Sequence, residues 1–155
     1  MKTTISMALL GAVLSLGLTT NASAEQEERI NIGEQLPDNV RGLLIQEMLG
    51  IQAASQKIQA AIVQGDHDVV ATEAQAIHDS FIMEQEMTEE DERALLAVAP
   101  EDFLEQDEAL HTLSASLAEA GRNKDTDAQL KHLHELLEGC VSCHSDYASA
   151  RFPGL

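Results

Sequence analysis

Leu130-Lys131-His132-Leu133-His134-Glu135-Leu136-Leu137-Glu138-Gly139-Cys140-Val141-Ser142-Cys143-His144-Ser145-Asp146-Tyr147 is the stretch on which the reading of this chain turns. Leu130, Leu133, Leu137, Cys140, His144 and Tyr147 recur at three or four residues, the spacing that brings side chains onto one face of an α-helix. Cys143 lies just beside that face. The pattern therefore predicts a helix, capped by Asp125 or Thr126 and running to about Ser149, that presents two thiols and an imidazole toward a bundle interior.

The chain contains 2 cysteines, both in this stretch. A disulfide between them would close a tiny loop and remove little entropy from the unfolded chain, so fold stability does not account for the pair. Cys-x-x-Cys-His is the spacing for covalent haem c, with Cys140 and Cys143 forming thioethers to the haem vinyl groups and His144 reaching the iron axially. Two other chemistries use a Cys-x-x-Cys pair. A thioredoxin-like redox couple belongs in a βαβ setting, which the helical pattern does not offer. A zinc site needs further ligands, for which His132 or His134 would serve, but such sites usually carry a second paired knuckle.

Outward from the motif the chain reads as helix throughout, rich in Ala, Leu, Glu and Gln and without an alternating β-branched run. Residues 25–36 are polar and read as a loose lead-in. Pro37 opens a long helix to about Gln64 with the stripe Leu44, Met48, Ile51, Ile58, Ile62. Gly65 ends it, and Asp66 caps a second helix carrying Val70, Ala74, Ile77 and Phe81 on one face. Thr88-Glu89-Glu90-Asp91 resembles a capping box for a short helix through Val98. Pro100 starts a further long helix with the face Phe103, Leu110, Leu113, Leu117, which Gly121 is expected to stop. The expected fold is all-α, an antiparallel up-down-up-down four-helix bundle with covalent haem.

The first 24 residues stand apart. Lys2, the apolar run Met7 to Leu18 and the small-x-small site Ala22-Ser23-Ala24 make a secretory signal peptide, too short in its apolar part to span a bilayer comfortably. The mature protein is expected to begin near Glu25, to form one domain over residues 25–155, and to be periplasmic with no membrane span. Cleavage removes Lys2 and no carboxylate, so the net charge moves from −18 to −19. Such a chain repels nucleic acid and anionic membranes and favours partners with a basic docking patch; the same charge also keeps a protein soluble. The acid-rich stretch Glu84 to Glu92 lacks EF-hand spacing and reads as a solvated turn. His67, His78, His111, His132 and His134 are scattered and read as surface residues.

A signal peptide, four amphipathic helices and Cys140-Val141-Ser142-Cys143-His144 near the C-terminus, followed by the aromatic Tyr147, resemble the class II cytochromes c, the cytochrome c prime family, over roughly residues 37–150. Mitochondrial-type cytochromes c carry the motif near the N-terminus instead. The resemblance implies that His144 is the proximal iron ligand and that the haem lies between the first and last helices. It also implies that a residue of the first helix faces the distal side of the iron. Met48 is the candidate sixth ligand, since a methionine thioether ligates haem iron; a methionine on a stripe is also ordinary core filler, and Leu44, Ile45 and Leu49 are neighbouring alternatives. Arg41, at the start of the same helix, is a candidate partner for a haem propionate, or an ordinary surface arginine. Many gas-binding relatives carry a basic residue directly after the aromatic that follows the haem histidine. Ala148 stands there, with Arg151 nearly a turn further.

The resulting expectation is a one-electron carrier that serves redox partner proteins and is not an enzyme, since no nucleophile–base constellation or phosphate loop is legible. The alternative is a five-coordinate protein that binds NO or CO at an open distal site. Relatives often dimerise through the first two helices, so a homodimer is allowed, though no pattern in the chain demands one.

Overall fold

The computed structural model describes residues 30–80 and 82–155. The expected signal peptide and Phe81 lie outside the described residues. The described residues form seven helices in chain order: α1 Ile32–Gln35, α2 Asp38–Gln64, α3 His67–His78, α4 Met83–Glu86, α5 Glu89–Leu96, α6 Glu101–Arg122 and α7 Thr126–Tyr147. The architecture is a four-helix bundle of α2, α3, α6 and α7. The second of these is shorter than expected, ending at His78 rather than continuing toward Phe81.

The helix ends follow local chemistry. Gly65 adopts the left-handed conformation at φ 72°, and its N–H donates to the Ile62 carbonyl while Asp66 N–H donates to that of Ala61. That is a Schellman stop, and glycine takes it without a Cβ clash. Asp66 then turns round and accepts from Val69 N–H at 3.3 Å, so one dipeptide ends α2 and starts α3. Thr88 and Asp91 form a reciprocal capping box on α5, and Asp125 caps α7 by accepting from Ala128 N–H at 3.0 Å.

Two apolar clusters hold the bundle. The larger joins Ile51, Ala54, Ile58 and Ile62 of α2, Val70, Ala74 and Ile77 of α3, Leu117 and Ala118 of α6, and Leu133 and Leu136 of α7. The smaller closes one end and contains Ile32, Leu36 and Val40, with Leu44, Leu95, Val98, Phe103 and Tyr147 packed against it. The lead-in is therefore not loose over its described part. Ile32 and Leu36 bury themselves against the end of the bundle, as isolated apolar residues in a polar stretch can when a neighbouring surface receives them.

Three further boundaries and faces differ from the sequence reading. Gly121 does not stop α6, which continues to Arg122 with Asn123 as its cap. The glycine is buried within the helix, where α6 presses on Ala71 of α3. The last helix stops at Tyr147 rather than Ser149. Its core face is also rotated from the expected one: Leu133 and Leu136 are buried, while Leu130 and Leu137 are 53% and 49% exposed. Buried polar groups in the described residues are satisfied. Gln129, fully buried, donates to the Ala120 carbonyl at 3.0 Å and to His67 Nδ1 at 2.9 Å. His67 is thus a packed partner of the core rather than a surface residue.

Candidate haem site on the last helix

Cys140, Cys143 and His144 occupy the last two turns of α7. Both thiols are free, half-buried and outside any disulfide, and Cys140 packs directly against the larger apolar cluster. Burial pushes the Cys140 thiol above its ordinary value. Burial also pushes Cys143 up to about 11, with Asp107, Cys140 and Asp146 adding to the shift. A redox-active pair needs a populated thiolate and sits in an electropositive setting. These thiols have the opposite surroundings, apolar and acidic, which argues against a thioredoxin-like couple.

His144 is half-buried, and that burial lowers its imidazole pKa, favouring the neutral form that ligates metals. Its ring stacks on Phe152, with centroids 4.5 Å apart and planes 12° from parallel. One turn on, Tyr147 meets Phe103 of α6 edge to face at 5.3 Å and 89°, which anchors the end of α7 against the smaller cluster.

The first long helix supplies the facing residues. Met48 is half-buried and packs against the same apolar cluster as Cys140. Leu44 turns into the smaller cluster, whereas Ile45 and Leu49 are 42% and 58% exposed. The two helices touch each other sparsely; α2 leans mainly on α3, and α7 on α6. Arg41 directs its guanidinium to the Asp38 carboxylate and, at 3.4 Å, to the Gly33 carbonyl. Near Met48, the buried carboxylate of Glu47 accepts from Ile82 N–H at 2.6 Å and Met83 N–H at 3.1 Å, fixing the connection after α3.

The other histidines stay apart from this constellation. His132 faces Glu135 at 3.2 Å and His134 faces Glu138 at 3.5 Å, each pairing along α7 itself. Nδ1 of His78 and of His111 each donate to the other's backbone carbonyl, at 3.0 and 2.9 Å, clasping α3 to α6. Among the described residues no three His, Cys, Asp or Glu side chains converge as a metal site would require. Met83 lies in α4 and Met87 caps its end, away from the core of the bundle.

The sequence did not point to Phe152, Asp107 or Glu47. Phe152 sits in a short tail with no periodicity to read. Asp107 and Glu47 look like two more carboxylates in an acidic chain; burial singles out Glu47, whereas the Asp107 side chain is half exposed and stands out only by its neighbours in the fold. Burial raises the Asp107 pKa, Glu47 and Glu84 add to that, and His111 at 3.9 Å opposes it.

Two unbridged thiols and a neutral imidazole, adjoining an apolar bed, are a donor set that fits thioether-linked haem. The family model described as Cytochrome C' matches residues 44–148, more than half of the chain and including the whole motif. No curated protein and no solved structure matches the chain. The fold and the matched span define a c-type cytochrome of the helical-bundle class. The chain belongs to the cytochrome c prime family, and its cofactor is covalently attached haem c. Members of this family are generally haem-binding carriers or gas-binding proteins rather than enzymes, and are often dimeric.

Proposed function

We propose that this protein is a periplasmic one-electron carrier whose single haem is attached through Cys140 and Cys143 and held axially by His144 and Met48. The carrying observation is the placement of Met48 and Cys140, on the first and last long helices, against one and the same apolar cluster. Of the four first-helix candidates, Ile45 and Leu49 are exposed and Leu44 serves the end cluster, which leaves Met48 as the one packed on the cluster that Cys140 adjoins. Haem supplies a metal centre that accepts and releases one electron when bound, and the protein sets its potential through axial ligands and burial. Arg41 is assigned to a propionate, exchanging or sharing its present partners Asp38 and Gly33.

The mature chain begins near Glu25, after export, as a single domain. Its strong negative charge favours redox partners with a basic docking patch, and association would then weaken as salt is added. No helix among the described residues is long and apolar enough to cross a membrane.

The rival reading is a five-coordinate, gas-binding protein. It is favoured by the apolar packing of Met48, which is also how a core methionine behaves. Substitution separates the two. Met48→Ala should convert a low-spin ferric haem into a high-spin one while Cys140 and Cys143 keep it covalently attached. A variant spectrum identical to that of the parent protein would remove Met48 from the iron and favour the rival.

A further inference from the structure

From the stacked pair at the end of α7 we infer that Phe152 is a positioning residue for His144: it fixes the orientation of the imidazole and covers one face of it. This rests on the reading of His144 as the axial ligand. The family match ends at Ala148, so Phe152 lies in a tail outside the matched residues.

The geometry is specific. The rings lie nearly parallel at 4.5 Å, which uses the flat face of the imidazole. The nitrogen lone pair of an imidazole lies in the ring plane, so stacking leaves a ring edge available to a metal. The stack opposes rotation of the ring about its χ2 bond, a torsion that is otherwise broad. It also excludes water from that face.

Phe152 is itself held. Its N–H and that of Arg151 both donate to the Ala148 carbonyl at 3.0 Å, and Leu155 N–H donates to the Phe152 carbonyl at 3.1 Å. Ala150 N–H donates to Asn31 Oδ1 at 2.7 Å, tying the tail to the segment before α1. The Arg151 guanidinium lies 6.0 Å from the centre of the Phe152 ring. A cation on the motif's C-terminal side therefore lies by the aromatic that stacks on the histidine.

The test is the ferric EPR spectrum of the haem-loaded protein, since g-values respond to the orientation of an axial imidazole, together with the midpoint potential and thermal unfolding. Phe152→Ala and Phe152→Leu should broaden or split a single set of g-values and shift the potential. Phe152→Tyr, which restores a stacking ring, should return both to the parent values. The leucine variant keeps an apolar side chain in place, so it reads the loss of the ring apart from the loss of packing. If both Phe152→Ala and Phe152→Leu keep the parent g-values and potential, the positioning role is overturned, whatever happens to thermal stability. Failure of the underlying reading would be seen separately: His144→Ala that keeps its haem and the parent spectrum would mean that His144 is not the ligand.

Discussion

Gly121 of α6 lies against Ala71 of α3 so closely that a Cβ added to the glycine would sit 2.7 Å from the Ala71 nitrogen and 2.9 Å from its Cα. The obstructing atoms are backbone and cannot swing aside. Replacing glycine by alanine inside a helix ordinarily gains about 1 kcal/mol of propensity. Here overpacking opposes it by about 1–3 kcal/mol, and it should win because two helices must separate. Gly121→Ala is therefore expected to lower the unfolding midpoint. Gly42, also within a helix but with no atom within 4 Å of an added Cβ, is the control, and Gly42→Ala should raise it. Denaturant unfolding of both variants checks the pair.

Glu47 gives a second expectation. Its buried carboxylate accepts from the backbone N–H groups of Ile82 and Met83, at the start of α4. Removing an acceptor from buried donors costs about 1–3 kcal/mol. Glu47→Ala should lose that amount in thermal or chemical unfolding. Glu47→Gln, which keeps one carbonyl oxygen, should lose less, and equal losses would mean that the carboxylate's charge rather than an acceptor oxygen carries the effect.

The α5 capping box carries a pH signature. The Thr88 hydroxyl, then the Thr88 backbone N–H, then Asn39 hold the exposed Asp91 carboxyl below its ordinary pKa. A carboxylate whose folded-state pKa is depressed contributes stability above its unfolded pKa and loses it as pH falls through the folded value. Asp91→Asn should therefore destabilise the protein modestly at neutral pH, and the difference from the parent protein should shrink as pH drops. Unfolding midpoints measured from neutral to acid pH read this directly.

Cap chemistry is local, and so the helix ends were largely legible in the sequence: Gly65 with Asp66, Thr88 with Asp91, and Asp125 stand where their residue types imply. The thiol–imidazole group was legible for the same reason. What escaped was set by distant neighbours. Gly121 resembles a helix stop but marks a close approach of two helices. Leu130 and Leu137 fit the period of α7 as well as Leu133 and Leu136 do, and the position of α6 and α2 decides which pair is covered. Ile32, Leu36 and Phe152 lie in segments too short for periodicity, where burial depends on a surface built by the rest of the chain.

Cys140 and Cys143 separate covalent attachment from simple binding. Cys140→Ala with Cys143→Ala should abolish haem that survives denaturing electrophoresis, while the helical circular dichroism of the bundle, built on clusters in which Cys140 is only peripheral, persists in part. Covalent haem retained by the double variant would contradict the assigned thioethers.

The most direct measurement of the central claim is the optical and EPR spectrum of the purified ferric protein, followed by addition of CO to its reduced form. A haem held by both His144 and Met48 gives a low-spin ferric signal, a methionine–iron charge-transfer band and a reduced spectrum that CO alters little. A high-spin ferric signal with a reduced spectrum that shifts readily on CO would contradict the electron-carrier assignment.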